Sequence, residues 1–149
     1  MDLRWHYKQF DELTSAELYA ILKLRIEVFM VEQNCLYNEC DGKDRHCSFL
    51  WCTLSDRIVA SARIVPPGIS YREPSIGRVV SHPEFRNLKL GYQLMRHSLE
   101  IIENHFGTNR VKISAQSYLK NFYGKFNFEQ VSEEYLEDGL PHMEMLKSG

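Results

Sequence analysis

The feature that most constrains this chain is a stretch in which a β-type pattern gives way to a helical one across a short cationic loop. Residues 76–81 are rich in β-branched side chains, and small or apolar side chains from Gly91 to Phe106 recur with a period near 3.6 residues. The loop between them contains Arg86 and Lys89. Because the first N–H groups of a helix lack intrahelical partners and carry partial positive charge, this arrangement predicts a site for a phosphate or pyrophosphate. An ordinary strand-to-helix connection with two solvated cations is the alternative that this window leaves open.

Composition narrows the class of protein. With 149 residues, of which 44% are hydrophobic, residues 1–149 are predicted to form a single domain. A net charge of −2 and scattered lysines and arginines argue against a nucleic-acid or membrane-surface partner. We expect a cytoplasmic protein, because no segment reaches membrane-spanning length and the N-terminus lacks the apolar core of a signal peptide.

Four cysteines lie close together, at positions 35, 40, 47 and 52. Their spacings lack the close pairs that are typical of structural zinc, so we expect no metal. Cys47 and Cys52 flank a strand-like stretch and should face opposite sides of a sheet. Free, buried thiols in a reducing compartment are the simplest interpretation.

Local patterns predict an alternation of strands and helices. Thr14 and Glu17 form a capping box, which should begin a helix that ends at Phe29 or Met30. A shorter helix is predicted at residues 118–126. The predicted strands are residues 4–10, 48–54, 57–65, 75–81, 111–115, 129–135 and 142–146.

The cationic loop also resembles a known cofactor-binding motif. Residues 86–91 (RNLKLG) are similar to the R/Q-x-x-G-x-G/A acetyl-coenzyme A loop of the GNAT superfamily of N-acetyltransferases, and residues 82–86 (HPEFR) are similar to its usual lead-in. Lys89 stands where the family usually has the first glycine, which implies a second cation near the phosphates. Gly91 permits close approach of the ligand to the backbone.

A second signature and further segments extend this resemblance. Residues 116–128 (QSYLKNFYGKFNF) are similar to the family's pattern of Asn, six residues and then Y-x-x-x-G-F, with Gln116 in place of Asn and Asn127 in place of Gly. The second change is mild, since Asn also tolerates the left-handed conformation at a helix end. Residues 25–37, 41–42, 76–79, 115–116, 121–123 and 137–142 are similar to the ElaA branch of the superfamily.

The resemblance implies a fold and a set of cofactor contacts. The fold is α/β, with a mixed, strongly bent sheet of about seven strands, helices on both faces, and acetyl-coenzyme A in the opening between the fourth and fifth strands. The residues implied at the cofactor are Val79, Ser81, Arg86, Asn87, Leu88, Lys89, Leu90, Gly91, Tyr92, Gln116, Asn121 and Tyr123.

The resemblance also implies two catalytic roles. The backbone N–H of Val79 would stabilise the oxyanion, and the hydroxyl of Tyr123 would protonate the departing thiolate. Without the resemblance, a packed core aromatic is the simpler interpretation of Tyr123.

The general base is less defined. Some family members carry a Glu on the fourth strand, where the matching position here is Ser75. Glu32, Asp41, His46 and His142 are candidates, and a relay through ordered water is an equal alternative.

Charged residues in apolar surroundings indicate where the acceptor binds. Arg25, Glu32 and Arg78 lie among apolar neighbours, where a charge needs a partner. We therefore expect a buried ion pair that either shapes the acceptor pocket or is purely structural. Arg25, Glu32, Arg78 and His142 are our candidate acceptor-binding residues, with specificity set by the irregular residues 32–45 and 67–74.

Together these features predict direct transfer of an acetyl group from acetyl-coenzyme A to an amine of a small molecule or peptide. Two alternatives remain open. Residues 28–33 (VFMVEQ) also resemble a segment of the acyl-homoserine lactone synthases, which share the fold, although this chain is short for that family. A coenzyme A-binding module without turnover is favoured by the missing carboxylate at Ser75. A homodimer formed by the C-terminal strands is suggested by analogy of fold alone.

Overall fold

The structure, a computed structural model, describes residues 2–34 and 38–149 and confirms the expected α/β fold. Three α-helices and eight strands occur in this described part. In chain order they are β1 (Leu3–Gln9), α1 (Ser15–Ile26), β2 (Ser48–Leu54), β3 (Arg57–Val65), β4 (Ser75–Ser81), α2 (Leu90–Phe106), β5 (Arg110–Gln116), α3 (Lys120–Gly124), β6 (Glu129–Gln130), β7 (Tyr135–Glu137) and β8 (Leu140–Ser148).

The strands form two four-stranded sheets, with eight strands where about seven were expected. One has the order β1-β2-β3-β4, and in the other β8 pairs with β5, β6 and β7. The pairings within both sheets are antiparallel. The sheets meet where the N–H of Lys112 in β5 donates to the carbonyl of Pro74, just before β4, at 3.1 Å. Farther along β4 and β5 a cavity lies between the two strands.

The predicted strand at residues 129–135 is interrupted, so that it forms β6 and β7 instead. The interruption is held by Ser132, whose hydroxyl accepts a hydrogen bond from the N–H of Glu144 at 2.8 Å. The N–H of Val131 also donates to the carbonyl of Glu144, at 2.9 Å. A side-chain contact of this kind competes with ladder bonds and depends on the partner strand, which local periodicity does not specify.

Helix α1 begins as the capping box predicts. The Thr14 hydroxyl accepts from the N–H of Glu17 at 3.1 Å, and the Glu17 carboxylate accepts from the N–H of Thr14 at 2.9 Å. Regular α-helix ends at Ile26, earlier than expected, and continues as a π-helical segment, Glu27–Glu32. Such wider turns are frequent at functional sites, and this one brings Val28 to the cavity wall.

A β-bulge in β4 could not be read from the sequence. Ser61 of β3 pairs with Val80 and Arg63 pairs with Gly77, so Arg78 and Val79 are both left opposite a single residue. Arg78 has a φ of 50°, which is uncommon for a residue other than glycine. A bulge disrupts the ladder and re-aims the residues that it contains. Here both bulged residues line the cavity.

The cationic loop forms a 3₁₀ segment, Pro83–Leu88, that leads into α2. Its first turn is capped by His82, whose Nδ1 accepts from the N–H of Glu84 at 3.2 Å. Lys89 then adopts a left-handed conformation with a φ of 55°. A residue with a Cβ is destabilised by about 1–2 kcal/mol in that conformation, which accounts for the glycine that is usual at this position in the GNAT motif.

Helices cover both faces of the first sheet, as expected. Leu94, Met95 and Ile102 of α2 are fully buried against one face, in a core that extends into the second sheet. Ile21 of α1 packs with Phe49 on the opposite face. Within the described residues, no helix is both long and apolar enough to span a membrane.

The cysteines show the expected alternation across β2. Cys47 belongs to the cluster under α1 and Cys52 to the core under α2, and burial raises the pKa of both thiols to about 11. Cys40 is exposed instead of buried, and Cys35 lies outside the described residues. No cluster of three or more potential metal ligands occurs among residues 2–34 and 38–149.

Candidate active site

A cavity of about 760 Å³ lies between β4 and β5 and collects many of the residues singled out from the sequence. Of the expected cofactor positions, Val79, Ser81, Arg86, Gly91, Gln116 and Tyr123 line it. Of the expected acceptor positions, Arg78 and His142 line it. The opening between the two strands therefore brings both groups to a single surface, although they come from distant parts of the chain.

The other expected cofactor residues from the loop and α2 do not line the cavity with their side chains. Leu90 is buried in the core, Leu88 packs against it, and Asn87 and Lys89 are exposed. Tyr92 is largely exposed, with its ring 5.0 Å from that of Phe126. Because the first N–H groups of a helix lack intrahelical partners, these residues can reach an anion only through the backbone at the start of α2, or, for Lys89, through its mobile ammonium.

Asn121 lies apart from the main cavity. It lines a separate depression of about 340 Å³, together with Lys120, Gly124 and residues of β6 and β8. The structure thus does not bring Asn121 together with the other cofactor candidates.

Arg86 is engaged by a carboxylate. Its Nη1 and Nη2 donate to Glu32 Oε2 and Oε1 at 2.9 and 2.6 Å, and Nη2 also approaches the Ser81 carbonyl at 3.4 Å. Glu32 was expected in apolar surroundings, and that part of the interpretation was wrong, whereas its role in binding the acceptor stays a prediction. The Glu32 side chain is 37% exposed, and it pairs with Arg86 of the cationic loop.

Arg25 is fully buried and lies behind the cavity wall, not on it. Its Nε donates to Glu39 Oε1 at 2.6 Å, and its Nη1 donates to Asp44 Oδ1 at 2.9 Å. Glu39 Oε1 also accepts from Arg78 Nε at 2.9 Å, so one carboxylate joins Arg25 to the bulge in β4. The buried ion pair expected for Arg25 therefore exists, but with loop partners that the sequence did not identify.

Arg63 extends this network along the cavity. It donates to both carboxylate oxygens of Asp41, at 2.9 and 3.0 Å, and to Asp44 at 3.2 Å. Burial would raise the pKa of Asp41, but hydrogen bonds from Arg63 and from the Lys43 N–H, with the charges of Arg63 and Arg78, outweigh it and lower the pKa to about 2. Asp41 is therefore too weak a base to serve as a proton acceptor at neutral pH.

Tyr123 lies at the inner wall of the cavity and is 8% exposed. Its ring makes edge contacts with Phe122 and Phe128, with centroids at 5.2 and 6.1 Å. Burial, followed by the nearby Tyr118, raises the pKa of its hydroxyl to about 12. The ring packs as a core aromatic does, and its role as a proton donor stays a prediction.

A second polar cluster lies on the opposite side of the cavity, where β5, β7 and β8 meet. His142 Nδ1 is 2.8 Å from the Leu140 carbonyl, and its Nε2 is 3.4 Å from Glu137 Oε2. Ser114 bridges Glu137 and the hydroxyl of Tyr135. Burial raises the pKa of Tyr135, against a hydrogen bond from Ser114 that lowers it.

The remaining base candidates are separated from this cluster. Ser75 is buried in the cavity wall and offers no carboxylate, as the sequence indicated. His46 is exposed in a 3₁₀ turn, Asp44–His46, and does not line the cavity. Residues missed from the sequence are Arg63, Glu39, Asp44, Ser114 and Glu137. Arg63 had a usable signal, since it is an isolated cation within an otherwise apolar strand.

Comparisons with known proteins place this geometry in a family. The model of the acetyltransferase (GNAT) domain matches residues 13–148. Protein ElaA of Escherichia coli (strain K12) is 40% identical over 150 residues, which cover 97% of this chain and 96% of the relative.

Solved structures agree over the full length. The crystal structure of an acyl-CoA N-acyltransferase from Pseudomonas aeruginosa has a TM-score of 0.94 and 40% identity, covering 99% of this chain and 100% of the other. That of Escherichia coli ElaA has a TM-score of 0.91 and 38% identity, covering 98% and 99%. A CoA-dependent acyl-homoserine lactone synthase shares the fold at 16% identity, with a TM-score of 0.80 and coverage of 97% and 82%. The chain therefore belongs to the GNAT family of acyltransferase enzymes, in the branch that is similar to ElaA.

Proposed function

We propose that this enzyme transfers the acetyl group of acetyl-coenzyme A directly to an amine of a small molecule or peptide. One observation carries the proposal: a single cavity between β4 and β5 is lined by the bulge at Val79, the cationic loop at Arg86 and the phenol of Tyr123. These three features match the needs of thioester aminolysis, namely oxyanion stabilisation, anion binding and protonation of a thiolate.

The cofactor's pyrophosphate would bind at the start of α2. The N–H groups there lack intrahelical partners, and Arg86 and Lys89 add positive charge. Gly91 lines the cavity, and a Cβ added to it would have Phe122 Cζ, at 3.7 Å, as its nearest neighbour. Because Gly91 has no Cβ, a ligand can approach the backbone closely here. Ser81 and Gln116 supply polar groups on the two strands that flank the rest of the cofactor.

Val79 would act through its backbone. The bulge takes Arg78 and Val79 out of regular pairing with β3, and a bulged residue can direct its N–H away from the ladder. An N–H aimed at the thioester carbonyl stabilises the negative charge that develops on its oxygen, and one such donor contributes roughly 10²–10³-fold to the rate.

Tyr123 would donate a proton to sulfur. With a pKa of about 12 it is protonated throughout the physiological pH range. The same burial that weakens the phenol as an acid also disfavours a bare thiolate, so proton transfer as the C–S bond breaks avoids both buried anions. The phenolate then regains a proton from the newly acetylated nitrogen, and the products are an amide and the free thiol.

A second candidate is acyl transfer from a longer acyl-coenzyme A, as in the acyl-homoserine lactone synthases. The shared fold and the cavity of about 760 Å³ support this candidate. Membership of an acyltransferase family favours an enzyme over a coenzyme A-binding module without turnover. The acceptor, a cytoplasmic location and a homodimer stay predictions.

The test is thiol release from acetyl-, butyryl- and octanoyl-coenzyme A with a panel of primary amines. We expect amine-dependent release, fastest with acetyl-coenzyme A, and a loss of roughly ten- to a thousandfold in kcat for Tyr123→Phe with coenzyme A affinity retained. Faster turnover of the octanoyl donor would favour the second candidate. Release no faster than hydrolysis with every amine, or full activity of a folded Tyr123→Phe variant when chemistry limits the rate, would contradict the mechanism.

A further inference from the structure

The proposed reaction lacks a base, and the polar cluster opposite β4 offers one. An alkylamine is protonated at neutral pH and becomes nucleophilic only after losing a proton. His142 is 7% exposed, lines the cavity, and is paired in register with Gln116, at the end of β5. The base therefore does not need to come from β4, where Ser75 stands.

The backbone around His142 determines which ring nitrogen carries a hydrogen. A carbonyl can only accept, so the 2.8 Å contact with Leu140 requires a hydrogen on Nδ1. When the ring is neutral, Nε2 then holds the lone pair. Of the two nitrogens, Nε2 is thus the one that can take a proton from an acceptor.

Glu137 is placed to stabilise the ring after that transfer. Its Oε2 is 3.4 Å from Nε2, and Ser114 donates to its other oxygen at 3.3 Å. The Glu137 side chain is 46% exposed, so water reaches the carboxylate and the proton has a route to solvent. His142 also stacks on Tyr135, which limits rotation of the ring.

Three other carboxylates that could act as bases are committed to cations. Asp41 is held by Arg63 with a pKa of about 2, Glu39 is shared by two arginines, and Glu32 pairs with Arg86. His142 lines the cavity and has a nitrogen lone pair available in its neutral form. Its nearest charged neighbour is the Glu137 carboxylate, at 3.4 Å from Nε2.

We propose that His142 is the catalytic base and Glu137 its positioning residue, an inference that rests on the proposed acetyl transfer. Nε2 removes one proton from the ammonium group of the acceptor, and the neutral nitrogen then forms a bond to the acetyl carbon. The C–S bond breaks, and the second nitrogen proton replaces the one that Tyr123 gives to sulfur. The proton on Nε2 leaves to water past Glu137. The preferred acceptors are therefore amines that are protonated at neutral pH.

The first test needs no acceptor. Long-range ¹H–¹⁵N spectra of the free enzyme, assigned with His142→Gln, report which nitrogen of the neutral ring carries hydrogen. We expect the hydrogen on Nδ1. A neutral ring with its hydrogen on Nε2 would overturn the assignment, because no lone pair would then face Glu137 and the acceptor.

The second test separates a base from a structural residue. Benzylamine and other alkylamines are protonated at pH 7, whereas aniline and methoxyamine are already neutral and need no base. We expect His142→Gln to lower kcat/KM for the alkylamines by roughly 10²–10⁴-fold and for the neutral nucleophiles by far less. Glu137→Gln should also lower kcat/KM more for the alkylamines than for the neutral nucleophiles, although by a smaller factor. Glu137→Asp should restore part of the lost kcat/KM.

His105→Gln is the matched control, since His105 is exposed in the last turn of α2 and does not line the cavity. It should leave both classes of amine unaffected. Equal losses for both classes in His142→Gln would show a structural role and overturn the inference while acetyl transfer stands. A wild-type enzyme that uses no amine of either class would instead overturn the proposed function, and the inference would fall with it.

Discussion

Arg86 of the cationic loop and Glu32 form a bidentate ion pair, with nitrogen–oxygen distances of 2.9 and 2.6 Å. The cation expected at the pyrophosphate is thus neutralised by a carboxylate from the π-helical segment. Both side chains are partly exposed, at 46% and 37%, and pairs of this kind contribute about 1 kcal/mol or less. A phosphate can therefore displace Glu32 at small cost.

Removing this competitor should strengthen cofactor binding. We expect Glu32→Gln to tighten coenzyme A binding by about fivefold or less, because Arg86 no longer has to leave a carboxylate. Isothermal titration calorimetry measures the change. Glu27→Gln is the matched control, since Glu27 lies on the same π-helical segment and pairs with Lys23 at 3.9 Å instead. Unchanged or weaker binding by Glu32→Gln would show that Glu32 does not compete with the phosphates.

A side chain at Gly91 should block the cofactor without harming the fold. The nearest atom to an added Cβ is Phe122 Cζ at 3.7 Å, an ordinary contact, so the free protein has room for it. We expect Gly91→Val to unfold near the wild-type temperature but to bind coenzyme A at least tenfold more weakly, since the side chain occupies the approach to the helix start. Wild-type affinity in a folded Gly91→Val protein would argue against pyrophosphate binding there.

Lys89 combines a backbone cost with a useful charge, and two substitutions separate them. The free energy of unfolding of Lys89→Gly should be about 1 kcal/mol higher than that of Lys89→Ala, because glycine adopts a φ of 55° without strain. Both variants should bind coenzyme A modestly more weakly and with a flatter salt dependence than wild type. If affinity and salt dependence match those of wild type in both variants, the ammonium group does not contact the phosphates.

The Asp41–Arg63 pair should stabilise the fold in a pH-dependent way. The pKa of Asp41 falls from 3.8 to about 2 in the folded protein. A depressed carboxyl pKa stabilises the fold fully above the unfolded value, and this stabilisation is lost as the pH falls through the folded value. Because solvent screens this partly exposed pair, we expect about 1–2 kcal/mol to disappear between about pH 5 and pH 2.

Urea unfolding of wild type and Asp41→Asn at pH 6 and at pH 2.5 measures this loss. The wild-type advantage should be large at pH 6 and mostly gone at pH 2.5. A difference in unfolding free energy that stays constant across this range would mean that Asp41 does not titrate with the depressed pKa.

The features that were predicted correctly are those that neighbouring residues determine. Thr14 and Glu17 are three positions apart, so their capping box is a local property and α1 begins where expected. The strand, loop and helix around Arg86 were predicted because a β-type pattern before the loop changes to a helical period of about 3.6 residues after it.

The features that were missed depend on partners that are distant in the chain. The bulge at Arg78 and Val79 arises from the register with β3, and no local signal marks it. Glu39 and Asp44 lie in an irregular loop, where periodicity gives no direction to a side chain, yet they hold Arg25. The partners in polar networks of this kind are determined by tertiary packing, and local periodicity does not predict them.

The most direct measurement is the map of backbone amide shifts on titration with coenzyme A. If the cofactor binds between β4 and β5, we expect the largest changes at Val79, Ser81, residues 86–91 and Gln116. The N–H groups of Glu129, Gln130 and Met145, which line the separate depression of about 340 Å³, should change little. Large changes at those three residues with none along β4 would contradict cofactor binding in the cavity, and with it the proposed route of acetyl transfer.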